Sequence, residues 1–239
     1  MALRALILAM AALGASASLA DAREWHVTAG EGALVQAIDR AADGDTLTLA
    51  GGLHHGPVTI TKAIALAGEP GAHVDGGGTG SVITLDAPGI AISGLKVTGS
   101  GSSHERLDAG IKLTQNAAGS RVVDNHITGN LVGVDIHGAR GAVVRGNVIV
   151  GRRDARMNER GNGIYVWNAP GAVVENNQVR FGRDGIFVNT SRDNRFVGNR
   201  FEDLRFAVHY MYADGGEVSG NVSSGNHIGY ALMFSKGLT

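Results

Sequence analysis

The 239-residue chain is 44% apolar, carries 37 glycines and only 4 prolines, and has a formal net charge of −1. That apolar content excludes a disordered chain, and the near-neutral charge leaves no electrostatic footprint for nucleic acid as a partner. Cysteine is absent, which excludes disulfides and thiolate metal sites; any soft-metal ligand must be methionine or histidine.

Residues 1–20 form a separate unit. Arg4 gives a positive start, residues 5–13 are an apolar run, and Ser18, Leu19 and Ala20 end the segment with small residues. This reads as a secretory signal cleaved after Ala20, because the apolar run is too short to span a membrane comfortably. Residues 21–239 are expected to form one domain.

Residues 25–49 predict a cap followed by the first strand. Thr28 and Glu31 fit a capping box ahead of a short helix with Leu34, Ala37, Ile38 and Ala41 on one face. Such a helix would cover the open end of a stack of coils. Asp43, Gly44 and Asp45 make a turn, and residues 46–49 alternate as a strand does. From residue 56 onward, short alternating strands recur between glycines, with Val58, Ile60, Ile64, Leu66, Ile90 and Ile92 among the inward candidates.

The second half of the chain is more regular. The phrases 163–167 (GIYVW), 185–189 (GIFVN), 207–211 (AVHYM) and 229–233 (GYALM) each start 22 residues after the one before. A period of that length marks a solenoid. Gly110 and Gly133 extend the same position backwards. Two insertions, 100–109 and 152–161, fall at the same corner and predict a polar brow along one edge. The second insertion carries four arginines and two acids, a composition suited to an acidic partner. A second series, Asn125, Asn147, Asn177, Asn199 and Asn221, predicts a stacked asparagine ladder with a structural role only. The predicted fold is therefore all-β: a right-handed parallel β-helix with coils of about 22 residues and a short N-terminal capping helix.

Strand alternation sorts the repeat into faces. Ile111, Leu113, Val134, Ile136, Ile164, Val166, Ile186, Val188, Val208, Tyr210, Tyr230 and Leu232 point inward. One outward column holds Lys112, Asp135, Tyr165, Phe187, His209 and Ala231; the other holds Thr114, His137, Trp167, Asn189, Met211 and Met233. Aromatic and apolar residues on an outer face mark an interaction site, so Tyr165, Trp167, Phe187 and His137 are candidate partner contacts. Arg183, Arg205 and His227 form a basic edge beside them. His209 and Met211 share a strand face and Met211 and Met233 share a column, a thioether and imidazole set suited to Cu(I). Adaptable packing at a protein interface is the favoured reading of the same methionines, and the two readings are compatible. Catalysis is not expected. No dense cluster of carboxylates appears, and the Asp-Pro-His-Glu signature of alginate epimerases is missing, although aromatics on a solenoid face leave a polysaccharide-binding or polysaccharide-active β-helix as the alternative.

The phrases 161–170 (GNGIYVWNAP), 182–187 (GRDGIF), 203–212 (DLRFAVHYMY) and 225–235 (GNHIGYALMFS) resemble the NosD family, periplasmic β-helix proteins required to mature nitrous-oxide reductase. The resemblance implies a periplasmic accessory protein, not an enzyme. It implies work with an ABC-type ATPase and a membrane permease, and with a copper chaperone, to assemble the copper–sulfur centre of the reductase. Carried onto this sequence, His209, Met211 and Met233 fall at the most characteristic positions; that they hold copper, as Cu(I) and transiently, is an expectation from their ligand chemistry and not from the resemblance. Members of the family continue through further coils, so the β-helix is expected to be truncated at its C-terminal end.

Overall fold

A computed structural model describes residues 22–239; the expected signal peptide and its cleavage point lie outside the described residues. The chain winds as a right-handed parallel β-helix in which three short strands per coil stack into three parallel sheets of nine, eight and eight strands. The inward columns pair as the sequence predicts. Val134, Ile164, Ile186 and Val208 are successive register partners, and all are fully buried. Tyr230 and Leu232 continue these columns onto the last coil, where they remain 43% and 57% exposed.

The helix at the N-terminal end spans Ala33–Arg40 and buries Leu34 and Ile38 against the core. The expected capping box is not formed. Gly32 occupies the N-cap in the left-handed region (φ 73°), and no side chain caps the helix. Glycine takes that conformation without steric cost, so the turn geometry decided against Thr28 and Glu31. The adjoining turn is fixed by Asp45, whose carboxylate accepts from the Arg23 and Ala42 N–H groups and from the Trp25 indole.

The asparagine series forms a continuous ladder, buried from Asn125 to Asn199. Asn125, Asn147, Asn177 and Asn199 each donate from Nδ2 to the Oδ1 of the next asparagine, at 2.9–3.0 Å, ending on Asn221. Each Oδ1 also accepts the backbone N–H of the asparagine before it. The residue ahead of each asparagine is in the left-handed region, as at Asp124 (φ 55°) and Asn176 (φ 56°), so the ladder sits on a repeated tight bend.

A second repeated position has a steric cause. A Cβ added at Gly133 would lie 2.4 Å from the Gly163 carbonyl oxygen and 2.5 Å from Ile149. At Gly163 it would meet Val179 at 2.2 Å, and at Gly185 the Phe201 ring at 2.4 Å. Ile149, Val179, Phe201 and Ser223 are register partners in the neighbouring sheet. Alanine appears in the glycine column at Ala207, in the coil whose opposing residue is the small Ser223. The glycine column is thus the complement of a bulky column across the interior.

The two insertions meet as expected. Arg152, at the start of the second, donates to Ser102 Oγ (2.7 Å) and to the carbonyl oxygens of Gly101 (2.8 Å) and Ser100 (3.2 Å) in the first. Its Nε reaches Gly129 O on the coil between them. The first insertion folds over the outer face, where Leu107 packs with Tyr165 against Ala109, Leu131 and Val132.

Candidate functional site

The outer face of one eight-stranded sheet carries the candidate residues. Its strands run Val58–Ile60, Ile83–Leu85, Ala109–Leu113, Val132–His137, Ile164–Trp167, Asp184–Asn189, Phe206–Met211 and Ile228–Met233. Both outward columns have the predicted register. Lys112, Asp135, Tyr165, Phe187, His209 and Ala231 are successive partners. So are His137, Trp167, Asn189, Met211 and Met233.

The face is less open than an exposed stripe would be. Tyr165 stacks on Phe187 with ring centroids 5.3 Å apart, and Phe187 stacks on His209 at 4.6 Å. Phe206 sets its edge against the same imidazole at 5.0 Å. These rings cover one another, so His209 is only 7% exposed. The expectation of an exposed His209 is corrected on that ground. His137 and Trp167 form a separate stacked pair at 4.3 Å. Tyr165, Trp167, Phe187 and Met211 are half-buried, and Met233 is exposed.

Beneath the stack lies Asp184, a fully buried carboxylate that sequence reasoning left without a role. Arg205 holds it with two hydrogen bonds, Nε to Oδ1 at 2.8 Å and a guanidinium NH2 group to Oδ2 at 2.6 Å. His209 Nδ1 is 3.1 Å from Oδ2. The Arg183 Nε lies 4.0 Å away, buried and without a hydrogen bond. Arg205 is therefore committed to an internal ion pair and also lies over the Phe206 ring at 4.5 Å. The expected basic edge of Arg183, Arg205 and His227 divides: the two arginines face Asp184, while His227 is exposed. A neutral His209 donating from Nδ1 to Asp184 would present Nε2 as a lone pair, and Nε2 has no hydrogen-bond partner.

Asp135 makes a similar node further along the column. It is fully buried, with Lys112 Nζ at 3.2 Å and His137 Nδ1 at 3.8 Å. Lys112 donates its formed hydrogen bond to the Arg106 carbonyl, so the contact with Asp135 is a charge pairing whose angle falls short of a hydrogen bond. Burial, and secondarily the Asp135 charge, push the Tyr165 phenol above its ordinary pKa, which keeps it a neutral donor. Asp184 pairs in register with Phe206, and Asp135 stands between Lys112 and Tyr165 in its column, so the sequence marks both positions but not their depth.

Among the described residues, no group of three or more histidine, aspartate and glutamate side chains is placed to hold a metal ion. Met211 and Met233 are direct register partners, and His209 lies two residues before Met211 on the same strand face. Tyr212 and Phe234, which follow the two methionines, stack face to face at 5.0 Å and are largely exposed. Sequence reasoning missed this pair because both residues sit in the left-handed corner, outside the strand alternation.

A family model described as "NosD: Periplasmic copper-binding protein (NosD)" matches residues 145–239. Two relatives are both named "Probable ABC transporter binding protein NosD". The Pseudomonas aeruginosa protein is 37% identical over 152 residues, 63% of this chain and 36% of its own length. The Stutzerimonas stutzeri protein is 37% identical over 137 residues, 57% of this chain and 31% of its own length. The chain thus spans about a third of the length of these relatives. Among solved structures, a double mutant of the periplasmic alginate epimerase AlgG superposes with a TM-score of 0.56 at 15% identity, over 90% of this chain and 55% of that one. The pectate lyase Pel9A gives 0.56 at 12% identity, over 93% and 79%. At these identities the structural likeness shows the β-helix fold alone.

Proposed function

We propose, from the chain's homology to the periplasmic NosD family, that it is an accessory protein in the assembly of the copper–sulfur centre of nitrous-oxide reductase. In this reading Cu(I) is cargo, taken up at His209, Met211 and Met233 and passed on by ligand exchange. The carrying observation is the pairing of Met211 with Met233 beside an imidazole whose Nδ1 is held by Asp184. Two thioethers and a neutral imidazole match the soft, low-charge preference of Cu(I). A carboxylate behind the ring fixes its tautomer, as in metal sites generally. All three ligands fall within the matched residues 145–239.

Docking is the second half of the proposal. The accessible parts of Tyr165, Trp167, Phe187 and His137 lie on this face, with the exposed His227 at one end of its last strand and the stacked Tyr212 and Phe234 at the other. The names of the curated relatives support an ABC transporter, through its ATPase and permease, as one partner. The reductase and a copper chaperone are the others, and the transporter's ATPase supplies the energy. Anaerobic Cu(I) titration against a chromophoric competitor tests the copper half. The double variant Met211→Ala, Met233→Ala is expected to bind about a hundredfold more weakly than the parent protein. Equal affinity of the two proteins would remove this site.

A further inference from the structure

A cleft of 470 Å³ opens on the same sheet face, away from the methionines, and no copper chemistry accounts for it. Its volume lies within the range of about 300–1,000 Å³ typical of small-molecule sites. The floor is the outward column from Asp86 through Thr114 and His137 to Trp167. Those four positions are three coil steps apart, about 14 Å at ~4.8 Å per step.

The lining has an unusual chemistry. Trp167 and His137 stack to give a flat platform. Around it stand Asp86, Gln115, Asn116 and Asn168, planar polar groups that can each bind two neighbouring hydroxyls. Asp86 is preset, because its Oδ1 already accepts from Thr114 Oγ1 at 2.5 Å and Asn116 Nδ2 at 3.0 Å. Its Oδ2 accepts no hydrogen bond from the described residues. Pro170 is the single aliphatic lining residue, so the cleft offers little to an apolar peptide anchor.

The charges separate into spent and unspent. Lys112 is engaged by Asp135 and the Arg106 carbonyl. Arg140 is exposed at the rim and enters no ion pair among the described residues. A free guanidinium fork beside an aromatic platform matches a carboxylate bidentately. We infer that this cleft binds an acidic oligosaccharide, with a pyranose face stacked on Trp167, hydroxyls on Asp86, Asn116 and Asn168, and a uronate carboxylate on Arg140. A pyranose ring is about as long as one coil is high, so successive sugars can follow successive coils. The inference is independent of the copper reading.

Isothermal titration of the protein with oligomannuronate, and with a cello-oligosaccharide of equal length, tests it. The acidic sugar is expected to bind, and the neutral one about tenfold more weakly, the worth of one charge-assisted contact. Arg140→Met should erase that preference; its side chain makes no internal ion pair, so the fold is left intact. Trp167→Ala should weaken both sugars, whereas Met211→Ala should leave them unchanged. Equal binding of the two sugars, binding of neither, or an Arg140→Met protein that still prefers the acidic sugar would overturn the proposal. Tighter binding of an acidic peptide than of oligomannuronate would also overturn it, in favour of a protein ligand.

Discussion

Asp184→Ala is expected to lower the unfolding free energy by about 3–5 kcal/mol, the cost of breaking a buried pair and stranding its partner. The carboxylate is fully buried and accepts two hydrogen bonds from Arg205, with His209 and Arg183 also turned to it. Its removal leaves the Arg205 guanidinium under an aromatic stack with no counter-charge. Asp184→Asn keeps an acceptor but not the charge and should cost less. Urea denaturation of the three proteins checks the order. The same substitution reaches function, because the imidazole loses the group that orients it. Cu(I) affinity should therefore fall about 10–100-fold in Asp184→Asn, the usual effect of deleting a carboxylate behind a metal-binding histidine. A loss below about 1 kcal/mol in Asp184→Ala would show that the node is solvated and not a buried anchor.

The second large effect belongs to the asparagine ladder. Asn177→Ala removes donations from Nδ2 to Val144 O and Asn199 Oδ1, both 2.9 Å. It also removes the acceptor of the Asn147 N–H and Nδ2 groups. At about 1–3 kcal/mol for each buried group left without a partner, the loss should be about 3–5 kcal/mol. The same change at Asn221, where the ladder is only partly buried, should cost about 1–2 kcal/mol. Comparing the two midpoints in urea separates a cooperative internal ladder from a row of equivalent surface amides. Equal losses at the two positions would favour the surface description.

Most of the fold was legible because its determinants are periodic. The 22-residue spacing, the asparagine series and the alternating apolar residues each specify one repeated environment, and the register of both outward columns followed from counting. What counting could not supply was depth. Asp184 and Asp135 share a face with aromatics. Only the groups gathered around them, Arg205, Arg183 and His209 at Asp184 and Lys112 and His137 at Asp135, convert them from surface acids into buried charge nodes. His209 was placed in the correct column yet is buried by the Phe187 and Phe206 rings. The helix cap failed because Thr28 and Glu31 match a pattern that Gly32 pre-empts through its left-handed turn. Corner residues escaped as a class. Arg152, Arg140, Tyr212 and Phe234 lie between strands, where no alternation rule assigns a direction, and these are the residues that tie the insertions together and frame the two candidate sites.

The central proposal is a sulfur-rich Cu(I) site on the outer face. X-ray absorption at the copper K-edge of the Cu(I)-loaded protein tests it most directly. The proposal predicts sulfur scatterers from Met211 and Met233 together with a nitrogen ligand from His209, and loss of the sulfur contribution in the Met211→Ala, Met233→Ala protein. A spectrum made up of nitrogen and oxygen ligands alone, or one unchanged in the double variant, would contradict it.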